Sequence, residues 1–248
     1  MRANAEGVQS VAAACADQVA RPVLVVVSSL AAAGPSGDVP KIESDRPVPV
    51  SDYGRSKLAG EQAAARYAGD LPITVVRPAV VFGAGDRGVY QMWKAIARSG
   101  IHVVCGRGDA RISLVGVTDL VDCIVLAAET GERLVADDAG RGIYFVAAAD
   151  LSHVELGAAI ASTLGKERAR TVRLPAWSMR VIGSFGDVMS RIRRRPGWIG
   201  RDKISEVVAG SWTCSSAKAR EQLGWSPGAP LADRLRETAQ WYHDARWL

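Results

Sequence analysis

Cysteine and histidine are scarce here: the 248-residue sequence holds four of the first and three of the second, well scattered. Cys15, Cys105, Cys123 and Cys214 form no CxxC pair, and His102, His153 and His243 fall into no metal-ligand spacing. That argues against a zinc module and against a disulfide framework, and predicts reduced, mostly buried thiols with no metal. Apolar runs are short, none approaching the roughly 20 residues that cross a bilayer. The opening MRANAEGVQS shows no charged-then-apolar signal pattern, so a soluble, cytoplasmic chain is expected. Basic residues interleaved with aromatics are also missing. The net charge is +5, with much of the excess in RIRRRP at 191–196, a run that more often solvates a helix end than binds nucleic acid.

What is present is an ordinary globular balance, 48% hydrophobic and 23% charged, in a chain long enough for a sizeable core. Residues 4–20 carry an apolar stripe through Val8, Val11, Cys15 and Val19 and read as a helix with Asn4 at its start. VLVVVSS after Pro22 is a short β-branched run, the pattern of a central parallel strand covered on both faces. A long Pro/Gly/Asp-rich loop is expected from Leu30 to Val50, and a helix from Tyr53 to about Ala68. ITVVRPAVVFG at 73–83 reads as a second buried strand and GIYFVAA at 142–148 as a third, with HVVCGRG a short one. Helices are expected at 89–100, closed by Gly100; at 116–130, capped by Thr118 or Asp119; and at 151–165, started by Ser152.

Strands alternating with helices predict an α/β fold, a Rossmann-like doubly wound parallel sheet, over residues 1–170. Residues 171–248 read as a small, mainly helical lobe; they hold six of the seven tryptophans, enough large apolar surface to need a core of its own. The stretch 177–195 sets Val181, Ile182, Phe185 and Met189 beside a basic cluster; a core-facing helix is the expectation over a membrane-surface one.

The chemistry concentrates in SDYGRSKLAGEQ at 51–62. On a helix, Tyr53 and Lys57 lie on one face within reach of each other. An ammonium beside a phenol favours the phenolate; moving its pKa from near 10 to neutrality takes roughly 3–4 kcal/mol. The spacing alone is weak, since five tyrosines and six lysines can produce it by accident. Its placement strengthens it: Ser28 and Ser29 end the strand upstream, and open α/β sheets bind ligands beyond the carboxyl ends of their strands. A hydroxyl there can hold a carbonyl oxygen while the tyrosine passes it a proton.

VVVSSLAAAGPS, DYGRSKLAGE, VVRPAVVFGAGDRG, GVTDLVDCIVLA and the tail SSAKAREQLGWSP…LRETAQWYHDARWL together resemble the extended short-chain dehydrogenase/reductase superfamily. That group includes NAD-dependent epimerase/dehydratases, 3β-hydroxysteroid dehydrogenases and dihydroflavonol reductases. The resemblance implies reversible hydride transfer between a nicotinamide ring, of NAD or NADP, and a carbonyl or carbinol carbon. It implies Tyr53 as acid/base, Lys57 as the residue that lowers the Tyr53 pKa and binds the nicotinamide ribose, and Ser29 as the carbonyl-orienting serine, ahead of Ser28. It further implies Asn4 supporting the lysine through water and Pro78 passing the nicotinamide. A homodimer through a four-helix contact is implied by analogy.

Two departures shape the expectation. Leu30 and Ala31 stand where the family's dehydratases carry an acidic pair, so dehydration is not expected and an apolar or mixed substrate is. The family's opening strand and three-glycine turn have no counterpart, since neither GPSGD nor GAGDRG has that setting. The expectation is a chain that begins inside the cofactor domain, with VLVVV left at an apolar edge and cofactor held weakly. Alternatives are a sugar-nucleotide epimerase of the same superfamily and a non-catalytic remnant acting as an interaction module. Asp86 is read as a helix cap, and Arg111 as a solvated loop residue.

Overall fold

The computed structural model describes residues 2–105, 109–135, 138–175 and 201–248. Its elements are α1 (Arg2–Ala16), β1 (Leu24–Val27), α2 (Leu30–Ala33), α3 (Asp52–Ala65), β2 (Ile73–Pro78), β3 (Val80–Phe82), α4 (Tyr90–Ser99), β4 (Ile101–Cys105) and β5 (Arg111–Gly116). There follow α5 (Val117–Thr130), β6 (Ile143–Val146), β7 (Ala149–Ser152), α6 (His153–Thr163), β8 (Arg170–Leu174), α7 (Arg201–Val208), α8 (Ala217–Leu223) and α9 (Leu231–Asp244). The α/β architecture is as the sequence predicts.

A parallel sheet of order β1-β2-β6 carries the fold. Every residue of β2 is buried, because β-strand side chains alternate and both of its faces are covered. Val75 packs with Ala12 of α1 and Ala64 of α3, while Val76 packs on the other face with Cys123 of α5 and Trp225. The central strand is therefore β2 and not β1. Among the described residues β1 pairs only with β2, and Val27 is 42% exposed: the strand has the composition of a covered central one but lies at an edge of this sheet, as expected for VLVVV.

The run at 73–83 is likewise not one strand. It breaks after Pro78, and Val80–Phe82 leaves to pair with β5, which pairs antiparallel with β7. Proline gives no N–H to a ladder, so a change of partner is cheapest there. A third pairing, parallel, joins β4 to β8. The predicted 116–130 helix forms, but Gly116 is its N-cap without a side-chain cap. Asp119 instead turns inward to the Arg234 guanidinium, Oδ1 to Nη2 2.7 Å, and accepts from Gly228 N at 2.9 Å.

The described chain beyond residue 170 does not close a core apart. Leu235 and Tyr242 of α9 pack with Trp93, Ile112 and Leu156, and Trp225 packs under β2 and β6. Burying such a side chain contributes about 1.5–3 kcal/mol. The apolar stretch at 177–195 lies outside the described residues.

Candidate active site

β1 stops at Val27, and the next two residues diverge. Ser28 continues the ladder, N to Val76 O at 2.8 Å, and its hydroxyl donates inward to Glu61 Oε1. Ser29 has extended backbone and N-caps α2, its Oγ accepting from Ala31 N at 3.1 Å. Where a loop was expected, LAAA forms this one helical turn, all four residues buried. Only Ser29 of the pair lines the cavity described below.

α3 begins at the capping serine Ser51, whose Oγ accepts from Gly54 N at 2.9 Å and donates to Glu206 Oε1 at 2.7 Å. Asp202, one turn before Glu206 on α7, accepts from the amides of Asp52 and Tyr53. Carboxylates at this end satisfy free N–H groups and oppose the positive helix terminus. Tyr53 thus sits in a doubly clamped first turn, its side chain 44% exposed toward the cavity. Gly54 lets the turn close: a methyl there would collide with the Ala31 carbonyl of α2, so glycine brings Tyr53 and Ser29 to one rim.

Lys57 lies one turn on, its ammonium 5.9 Å from the Tyr53 ring centroid and donating to Val27 O at 3.1 Å. Burial pushes its pKa below the usual lysine value, and the Glu61 carboxylate on the following turn opposes that shift. Asn4, in the first turn of α1, donates from Nδ2 to Ser56 Oγ at 2.8 Å; it reaches α3 through the neighbour of Lys57. Pro78 ends β2, in register with Val146, beside the cavity-lining Ala79.

Sequence reading missed the layer beneath. Glu61 and Arg77 form a buried two-pronged pair, Nε to Oε1 2.9 Å and Nη2 to Oε2 2.6 Å. Adjacent residues of the strand end are so held by residues a turn apart on α3, Val27 by Lys57 and Ser28 by Glu61. The signal was available: a lone arginine inside the buried run ITVVRP requires a counter-charge. Asp202 and Glu206 gave no comparable signal, being about 150 residues away along the chain.

Over the rim lies a cavity of about 670 Å³. Leu30, Val80, Val89, Met92, Ile112 and Trp212 make its walls mainly apolar. Arg87, His153 and Glu206 are, with Tyr53, its charged or titratable members. Asp86 caps the turn below, accepting from Gly88 N and Val89 N at 2.7 and 2.8 Å. Arg111 does not line the cavity; it is half exposed and engaged by Asp150 O at 2.8 Å and by Glu155 at 3.6 Å.

The residues at the rim fit the nicotinamide-ribose end of a dinucleotide. Lys57 retains N–H donors beyond the one given to Val27 O, and the Tyr53 hydroxyl has no partner among the described residues. Among those residues no strand runs through a three-glycine turn into a helix, so the rim offers nothing comparable for the pyrophosphate.

A model of the NAD dependent epimerase/dehydratase family matches residues 1–144. The chain is 29% identical over 249 residues to a ceramide reductase of Caulobacter vibrioides, covering 100% of this chain and 70% of that protein. It is 24% identical over 200 residues to a UDP-glucose 4-epimerase of Vibrio cholerae, covering 79% of this chain and 55% of that one. The fold matches a dTDP-glucose 4,6-dehydratase of Streptomyces venezuelae with NAD bound: TM-score 0.73, 20% identity, 98% of this chain and 66% of that one. The chain thus spans between about half and 70% of the length of these curated relatives.

Proposed function

Since the chain belongs to the NAD dependent epimerase/dehydratase family, we propose that it carries the proton-transfer half of an NAD(P)-dependent oxidoreductase acting on a carbonyl or carbinol of a mainly apolar substrate. One observation carries the reading: the Lys57 ammonium lies 5.9 Å from the Tyr53 ring, at the rim of the apolar cavity that Ser29 also lines.

Bound nicotinamide would supply or accept the hydride. In the reducing direction the Tyr53 hydroxyl gives its proton to the substrate oxygen, and in the oxidising direction the phenolate takes it back. Ser29 Oγ donates to the same oxygen and holds the carbon facing the nicotinamide side. Lys57 favours the phenolate by its charge and offers its remaining N–H groups to the ribose hydroxyls. Asn4 braces α3 through Ser56, and Pro78 borders the nicotinamide face. On this reading residues 1–170 serve the cofactor and 171–248 the substrate.

The apolar walls favour a lipid-like or polycyclic ketone over a sugar nucleotide, whose hydroxyls and phosphates would need polar partners there. The family's ceramide reductase relative is consistent with that choice. The test is oxidation of NADH and NADPH, followed by absorbance, with long-chain 3-keto lipids, keto-steroids and UDP-sugars offered in parallel. Because cofactor should be held weakly, slow turnover of the apolar ketones at high nicotinamide concentration is expected. Turnover confined to UDP-sugars would replace the reading with an epimerase, and absence of any nicotinamide binding would overturn it.

A further inference from the structure

Arg87 lines the apolar cavity on one side and a second cleft, of about 500 Å³, on the other. α4 divides the two. Its Trp93 and Ile96 are buried in the core, and its Tyr90, Lys94 and Arg98, spaced four apart, face the second cleft with Arg246 and Trp247. The cleft wall is built rather than incidental. The Tyr90 hydroxyl donates to Trp247 O, and the two rings meet edge-on with centroids 5.1 Å apart. Arg87 lies 5.7 Å over the Trp247 ring and Lys94 5.7 Å over Tyr90, so both cations are steered by aromatic faces.

Four cations therefore converge on one cleft, and among the described residues none of them meets a carboxylate. Elsewhere Arg55, Arg111, Arg141, Arg234 and Arg236 each do. The nearest acid in sequence, Asp86, is occupied by Gly88 N, Val89 N and the Tyr242 hydroxyl. Concentrated like charge of this kind is relieved by a ligand that brings its own negative charge; guanidinium forks and an ammonium together match phosphate oxygens.

We propose that this cleft binds the phosphate-bearing head of an anionic lipid, beside the cavity that takes the apolar body of the substrate. The link to the cavity rests on the functional reading above. The phosphate site itself does not. Arg87 joins the two: a chain that draws an apolar molecule into its cavity presents, at the adjoining cleft, the charge needed to settle on the anionic surface from which such a molecule comes.

The experiment is co-sedimentation of the full chain with vesicles of phosphatidylcholine containing about one third phosphatidylglycerol, against phosphatidylcholine alone, at low and high salt. Binding is expected only to the anionic vesicles, and weaker at high salt. Lys94→Ala/Arg98→Ala keeps good helix formers at both positions and, with its helicity checked by circular dichroism, should lose roughly 25-fold in partitioning, about fivefold per charge. Three results would overturn the proposal: no preference for anionic vesicles, undiminished binding by the double variant, or binding of inorganic phosphate without binding of vesicles. A chain that turns over no ketone yet loses vesicle binding in the double variant would sink the catalytic reading and leave this one standing.

Discussion

Arg77 grips Glu61 with two parallel hydrogen bonds, both side chains buried, directly behind the strand end that supplies Ser28 and Ser29. Ser28 adds a third bond to the same carboxylate, while one guanidinium nitrogen, Nη1, has no hydrogen-bond partner. The pair is a liability to split and a small loss to replace.

Glu61→Gln should therefore cost about 3–5 kcal/mol, because it leaves a buried arginine without its counter-charge. Glu61→Met/Arg77→Met, which removes both charges and keeps the bulk, should cost far less. Urea melts of the three proteins would decide; equal losses in the single and double variants would show that packing rather than charge governs this layer.

Tyr53→Phe deletes a hydroxyl that no described residue holds, so stability should stay within about 0.5 kcal/mol of the parent. With a ketone substrate in hand, kcat should fall roughly a hundred- to ten-thousandfold while KM changes little, the pattern of a lost proton donor. Steady-state kinetics at saturating nicotinamide would check both numbers.

Gly54→Ala puts a methyl into the Ala31 backbone carbonyl, which cannot swing aside like a side chain, so α3 and α2 must part. A loss of about 1–3 kcal/mol is expected, together with a fall in turnover, because the same shift separates Tyr53 from Ser29. Gly69→Ala, where nothing stands within reach of the new atom, is the control and should leave both quantities nearly unchanged. Thermal melts and kinetics on the two variants would test the contrast.

His102 is buried against Gly157 of α6, its Nε2 2.9 Å from His153 O. Burial holds its pKa below the ordinary 6.5, with that carbonyl pulling the other way, and burial holds His153 low as well. As pH falls through 6.5 the unfolded chain takes up protons before the native one does. Stability should thus be flat above about 6.5 and decline on the acid side. His102→Gln should flatten part of that slope, read as melting temperature between pH 7.5 and pH 5; a parent whose melting temperature rises toward pH 5 would contradict it.

The sequence shows its local signals plainly. Ser152 and Glu155 form the reciprocal cap of α6, and Gly100 takes the left-handed conformation that ends α4, both where the residue types demand it. Failures come where a tertiary partner outweighs the local pattern. Asp119 has the look of a cap but is claimed by Arg234. β5, β7 and β8 escaped notice because strands of four to six residues leave too little periodicity to read. At the rim, spacing and the strand end point to Tyr53, Lys57 and the Ser28–Ser29 pair, and only the family resemblance prefers Ser29. Glu61 and Arg77, which with Ser28 form the buried layer behind the rim, announce themselves only through the oddity of a charge inside a buried strand.

The caps on α3 have a consequence in time. Asp202 and Glu206 reach back across roughly 150 residues to the amides of Asp52 and Tyr53 and to Ser51. Contacts so distant along the chain form late, after the closure of a long loop has been met. During synthesis the ribosome will have released most of the polypeptide before α3 can receive its final two clamps. A nascent chain halted short of α7 should fold its sheet and yet leave the start of α3 unclamped beside Ser29.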